Sequence, residues 1–112
     1  MAEVSKEILE KALEAIEVAK ATGKVKKGTN EVTKAIERGN AKLVAIAKDV
    51  NPPEITMHIP LIAKEKGVPC VEVASKEELG AAAGISVPTV AVVVIDAGDA
   101  KGLIKEISEK VK

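Results

Sequence analysis

The chain has 112 residues, with 17 Lys and Arg balanced by 17 Asp and Glu, one His, one Cys, and no Phe, Trp or Tyr. At 46% hydrophobic and 30% charged it is not a disordered chain, and its length suits one domain, residues 1–112, around one core. The missing rings exclude the base-stacking platforms of single-strand binders and the aromatic cages that hold methylated ammonium groups.

The zero net charge conceals a pattern. Residues 1–19 sum to −3, residues 20–48 to +6 and residues 49–112 to −3. A basic block within a neutral chain points to one anionic contact surface, although a solvated Lys/Glu-rich face has the same composition. The single Cys forms no intramolecular disulfide. The start has no apolar signal stretch, and the longest strictly apolar run, Val90–Ile95, is far short of a membrane span. A soluble, cytoplasmic protein is the expectation.

In chain order, Ser5 can cap a first helix with apolar positions at Ile8, Leu9, Ala12, Leu13, Ile16 and Ala19, closed by Gly23. Residues 24–27 form a strand candidate with one apolar residue. Gly28-Thr29-Asn30 opens a second helix that runs to Gly39. Leu43–Ala47 is continuously apolar, as in a strand covered on both faces. Asn51-Pro52-Pro53-Glu54 marks a loop and the start of a helix that continues to about Lys66 and is interrupted or kinked at Pro60. Residues 70–74 form another strand. Ser75 and Glu78 fit a capping box for a short helix ending near Gly84. Ile85-Ser86-Val87-Pro88 is an apolar loop, residues 89–96 a Val-rich strand, and residues 99–111 a closing helix. Helices alternate with strands, which predicts a three-layer α/β/α sandwich with a central mixed sheet of about four strands.

The segment from Lys24 to Gly39 is the richest in chemistry. At 100° per residue, Asn30, Lys34 and Arg38 fall at roughly 0°, 40° and 80° and Glu31 at roughly 100°, while Val32 and Ile36 lie on the far side. One face packs, and the other presents an amide, a carboxylate and two cations. The helix start adds free N–H groups suited to phosphate. Lys and Arg hold phosphates, whereas Asn and Glu can read base edges. The plainer reading is a capped amphipathic helix with Glu31 and Lys27 as an ordinary ion pair. Ile85, Ser86 and Val87 can pack on nucleobases or a partner, or tuck into the core. His58 and Cys70 are the only His and Cys, so a Cys–His hydrolase has little support, and no metal or cofactor site is indicated.

These residues resemble a known family. Lys27–Gly39, Ala41–Val44, Ala47–Val50, the Pro52-Pro53-Glu54 loop, His58, Pro60, Ser75-Lys76, Leu79–Ile85 and the Val-rich last strand are similar to the archaeal large-subunit ribosomal protein L-seven-Ae and its kink-turn RNA-binding relatives, across roughly residues 6–112. The resemblance implies an α/β/α sandwich that is not a catalyst and works as a monomer. It would recognise a bulge beside tandem sheared G·A pairs in ribosomal RNA and in the guide RNAs of box C/D and H/ACA particles, alongside other guide-particle proteins, and in ribonuclease P. It implies an RNA surface of Lys27, Gly28, Thr29, Asn30, Glu31, Lys34, Arg38, Lys42, Ile85, Ser86 and Val87. Asn30, Glu31 and Lys34 would enter the groove at the G·A pairs, Lys27, Arg38 and Lys42 would lie near phosphates, and Ile85–Val87 would cover bulged nucleotides. Tyrosines are common in the family where this chain has Cys70 and Glu72, and Glu is common where it has Ser86. The complete lack of aromatics points to an engineered or reconstructed sequence. A rival expectation from another class is a ribosomal or scaffold component acting mainly through protein contacts.

Overall fold

A computed structural model of the chain describes residues 6–47, 54–73, 76–84 and 89–111, with side chains over residues 8–47, 58–73, 76–84 and 89–109. The elements, in order, are α1 (Lys6–Thr22), β1 (Lys24–Lys27), α2 (Thr29–Glu37), β2 (Leu43–Ala47), α3 (Glu54–Glu65), β3 (Cys70–Val73), α4 (Lys76–Ala82), β4 (Ala91–Asp96) and α5 (Lys101–Val111), the last preceded by a 3-10 turn over Gly98–Ala100. Ser5, Asn51–Pro53, Ser75 and the apolar loop 85–88 lie outside the described residues.

The strands lie in the order β1-β4-β2-β3. β4 runs antiparallel to both β1 and β2, and β3 runs parallel to β2, so the sheet is mixed. Its two central strands are buried along almost their whole length, which is why both read as unbroken apolar runs. Their side chains still alternate. Leu43, Ala45, Ala47, Val92 and Val94 join a core beneath α1, α4 and α5, and Val44, Ile46, Ala91 and Val93 join a second core beneath α2 and α3. These cores make the three layers predicted from the alternation of elements.

No ring fills either core, so close approach of backbones does that work. α1 meets the sheet through the fully buried Ala12, Ala15 and Ala19 beside Ile16, and short side chains let the helix sit low on the strands. At its end a side chain on Gly23 would collide with the Asp96 carbonyl, so only glycine admits that crossing.

α3 runs to Glu65, close to the expected Lys66, and of the two alternatives at Pro60, interruption or kink, the helix is not interrupted there. Ile59 and Ala63 are fully buried on either side of the proline, and their packing offsets the single helical hydrogen bond that proline removes. The last strand begins at Ala91 rather than residue 89. Thr89 donates its N–H to the Lys76 carbonyl (3.2 Å) and its hydroxyl to the Ala91 carbonyl (3.1 Å), so it forms a tie to α4 instead of a sheet rung. The closing helix opens as a 3-10 turn because Asp96 Oδ1 and Thr22 Oγ1 accept the N–H groups of Gly98 and Asp99 at 3.0 and 2.9 Å.

Strand directions give the sheet two distinct rims. Lys27, Ala47, Val73 and Ala91 end or begin strands on one rim, and Lys24, Leu43, Cys70 and Asp96 do so on the other. No described helix is long and apolar enough to cross a membrane.

Candidate nucleic-acid interface

The first rim is built around Gly28. It caps α2 with φ 96° and ψ 147°, a conformation essentially reserved for glycine, and its N–H donates to the Ala91 carbonyl at 2.9 Å. A Cβ on Gly28 would meet nothing within 4 Å, so glycine is required here by backbone conformation and not by crowding. Ala91 therefore accepts from both Gly28 and Thr89. These two bonds tie the start of α2 to the point where the chain emerges from residues 85–88 into β4. Neither Thr89 nor Ala91 stands out in the sequence. A threonine beside a valine-rich run looks like an ordinary strand residue, and a carbonyl acceptor leaves no mark on residue type.

The α2 helix then rises with Val32, Ala35 and Ile36 buried and Asn30, Glu31, Lys34, Glu37 and Arg38 exposed. Val32 makes the first helical bond, to Gly28 O at 3.0 Å. No side chain caps the helix, so the main-chain N–H groups of Thr29, Asn30 and Glu31 have no acceptor among the described residues. Three free donors at the positive end of a helix are suited to an anionic or carbonyl-rich ligand. The far end of α2 is closed internally. Gly39 at φ 77° donates to Ile36 O (3.1 Å) and Asn40 to Ala35 O (2.9 Å), a Schellman motif.

The outer face of α2 is chemically idle within the protein. The ion-pair reading of Glu31 with Lys27 is not realised: no salt bridge joins the two, whereas Lys11 on α1 and Glu106 on α5 do pair, at 3.2 Å. The side chains of Lys27, Asn30, Glu31, Lys34 and Arg38 have no hydrogen-bond or ion-pair partner among the described residues. An amide, a carboxylate and three cations are thus displayed together, with their hydrogen-bonding capacity unspent.

The structure brings Lys27, Gly28, Thr29, Asn30, Glu31 and Lys34 together on this rim, with Arg38 at the C-terminal end of α2. Lys42 is elsewhere. It immediately precedes β2, its N–H donates to Val94 O at 2.7 Å, and it stands on the opposite rim. Ile85, Ser86 and Val87 lie outside the described residues. The basic block is also divided, since Lys20 belongs to α1, where its Nζ reaches Gly84 O at 3.3 Å.

The paired His58 and Cys70 of the hydrolase reading are differently placed. His58 is exposed on α3, whereas Cys70 is buried on β3, and burial together with the nearby Glu72 carboxylate pushes its thiol up to about 12. A nucleophilic cysteine needs the opposite shift. Among the described residues no group of His, Cys, Asp and Glu can hold a metal ion.

The sandwich thus presents free helix amides and unpaired polar side chains together at the start of α2. Residues 10–104 match the ribosomal protein L7Ae/L30e/S12e/Gadd45 family, and the chain belongs to that family. Among solved structures it is similar to a Giardia lamblia protein described as a 15.5kD RNA binding protein. The two are 35% identical with a TM-score of 0.90, and the match covers 99% of this chain and 92% of that one.

Proposed function

We propose that the chain is an RNA-binding component of ribonucleoprotein particles, not an enzyme, and that its ligand is a kink-turn: a bulge beside tandem sheared G·A pairs, in ribosomal RNA or in box C/D and H/ACA guide RNAs and ribonuclease P. The carrying observation is the start of α2. There Asn30, Glu31 and Lys34 stand exposed and unpartnered above three free amides, anchored through Gly28 and Ala91 to the exit of segment 85–88. Family membership and the RNA-binding neighbour support the same reading.

In this reading the protein acts as a monomer. Asn30 and Glu31 face the G·A base edges, Glu31 accepting from a guanine and Asn30 both donating and accepting. Lys34 enters the same groove, Lys27 and Arg38 lie near flanking phosphates, and Ile85, Ser86 and Val87 cover the bulged bases. Such a site needs no ring, because it reads a preshaped groove instead of stacking on single-stranded bases.

A gel shift compares a kink-turn RNA with a version whose two G·A pairs are replaced by Watson–Crick pairs. The expected result is strong preference for the kink-turn. Equal affinity for the two RNAs would refute specific recognition.

A further inference from the structure

The opposite rim of the sheet carries an open groove of about 680 Å³ that the α2 site leaves unused. Lys42 enters it from the start of β2, Ile95 and Asp96 from the end of β4, and Lys101, Ile104 and Lys105 from one stripe of α5. Its volume is in the range of ligand-binding clefts. The floor is aliphatic, and three ammonium groups stand against a single carboxylate, in a chain whose formal net charge is zero. Asp96 Oδ1 accepts the Gly98 N–H at 3.0 Å, which fixes the carboxylate in place while it keeps its charge, so the lining stays net positive. Among the described residues none of the three lysines has an ion-pair partner. Lys101 and Lys105 are one helical turn apart, about 6 Å along the axis, the scale of neighbouring phosphates in an extended strand.

We propose that this groove is a second RNA contact, which takes the sugar–phosphate backbone of a single-stranded segment continuing from the structured element held at α2. Phosphates meet Lys42, Lys101 and Lys105, while sugars and bases lie over Ile95 and Ile104. The six residues of β4 put the two rims about 20 Å apart, so only an RNA extending several nucleotides beyond the α2 site reaches both. Arg38, at the end of α2, stands on the way. The proposal rests on the RNA-binding reading of the α2 site, and it gives Lys42 a phosphate role at a different place from the kink.

The test uses one kink-turn hairpin with and without an eight-nucleotide single-stranded tail, placed on either end. The whole chain should bind one tailed RNA about 5–10-fold more tightly than the bare hairpin, with a salt slope steeper by about 2. The double variant Lys101→Gln/Lys105→Gln should lose that increment and keep both its affinity for the bare hairpin and its melting temperature. Equal binding of tailed and bare RNA by the unaltered chain would overturn the proposal. So would a double variant that weakens both RNAs alike.

If the bare hairpin is not bound, the α2 reading fails separately, and the groove is then tested by titrating the free eight-nucleotide strand into isotope-labelled protein. Amide shifts at residues 42, 101 and 105 that vanish in the double variant support the groove, and their absence overturns it. A poly-glutamate peptide that moves the same amides as strongly as RNA would also overturn it, in favour of an acidic protein partner.

Discussion

α1 and α2 lie against opposite faces of one sheet and divide the labour of the molecule between them. α1 has 17 residues and buries Ile8, Ala12, Ala15, Ile16 and Ala19, and its Lys11 pairs with Glu106. α2 has nine residues and buries only three, and its polar face has no internal partner. The long helix is committed to packing, whereas the short one needs only enough burial to hold a fixed position. A recognition surface must stay solvated and unpaired until its ligand arrives, so it sits on the face of α2 that packing leaves free, opposite Val32, Ala35 and Ile36.

The comparison is broken most forcefully by cutting into α1. Ile16 is among the largest fully buried side chains, and Ile16→Ala should destabilise the fold by about 2–5 kcal/mol, seen as a lower urea midpoint. RNA affinity measured well below that midpoint should change little. A large affinity loss in the still-folded protein would mean that the two helices are not independent.

Gly28→Ala tests the hinge between packing and recognition. With open space around the added methyl, the cost is backbone strain alone, about 1–3 kcal/mol of stability. Because that strain acts at the first amides of α2, RNA affinity should fall as well. Unchanged affinity would show that the α2 start is not the contact. Asn30→Ala and Glu31→Ala should do the reverse of Ile16→Ala, each weakening kink-turn binding by about 1–3 kcal/mol while leaving the melting curve within about 0.5 kcal/mol.

The pattern of apolar residues makes α2 legible in the sequence: the spacing of Val32, Ala35 and Ile36 leaves Asn30, Lys34 and Arg38 outward, and that is how they stand in the fold. The four strands, their approximate positions and the layer order follow from the same periodicities. Rim assignment does not. Lys42 is only four residues from Arg38, so proximity in the chain groups it with the α2 cations. The turn through Gly39 and Asn40 instead delivers it to the start of β2, on the opposite rim. Lys20 falls within the basic block for the same reason, although it belongs to the α1 layer. The groove is unreadable from sequence because it forms where α5 passes the ends of two strands distant in the chain. Its one local sign, Lys101 and Lys105 flanking Ile104 on one helical stripe, is common on any exposed helix.

A pH experiment sharpens the contrast between the solvated α2 face and the buried edge strand. Burial holds the Cys70 thiol at about 12, against an ordinary value of 9.0. Between those values the unfolded chain loses its thiol proton while the folded chain keeps it. The folded state therefore binds more protons, and stability falls as pH rises. At pH 10 this contribution should be about 1 kcal/mol lower than at pH 8, within the window where the fold still keeps the thiol neutral. Cys70→Ala should flatten that part of the pH profile. Urea melts of both proteins at the two pH values measure the difference, and parallel losses in both would remove Cys70 as its source.

The smallest expected effect comes from a site that neither the core nor the α2 surface uses. Gly102 is exposed inside α5, and a Cβ there meets nothing within 4 Å. Glycine in a helix carries a conformational-entropy cost with no packing return, and in the first turn of α5 that cost is partial, so Gly102→Ala should raise stability by up to about 0.5 kcal/mol in a thermal melt. Because the methyl adds no charge and reaches no neighbour, kink-turn affinity should be unchanged. The neighbouring Lys101 makes this variant informative about the groove too. A stiffer α5 holds Lys101 and Lys105 at fixed spacing, so binding of a tailed RNA should be kept or slightly strengthened. A loss of the tail increment in this more stable variant would mean that the groove depends on α5 bending at Gly102, not on a preformed pair of lysines.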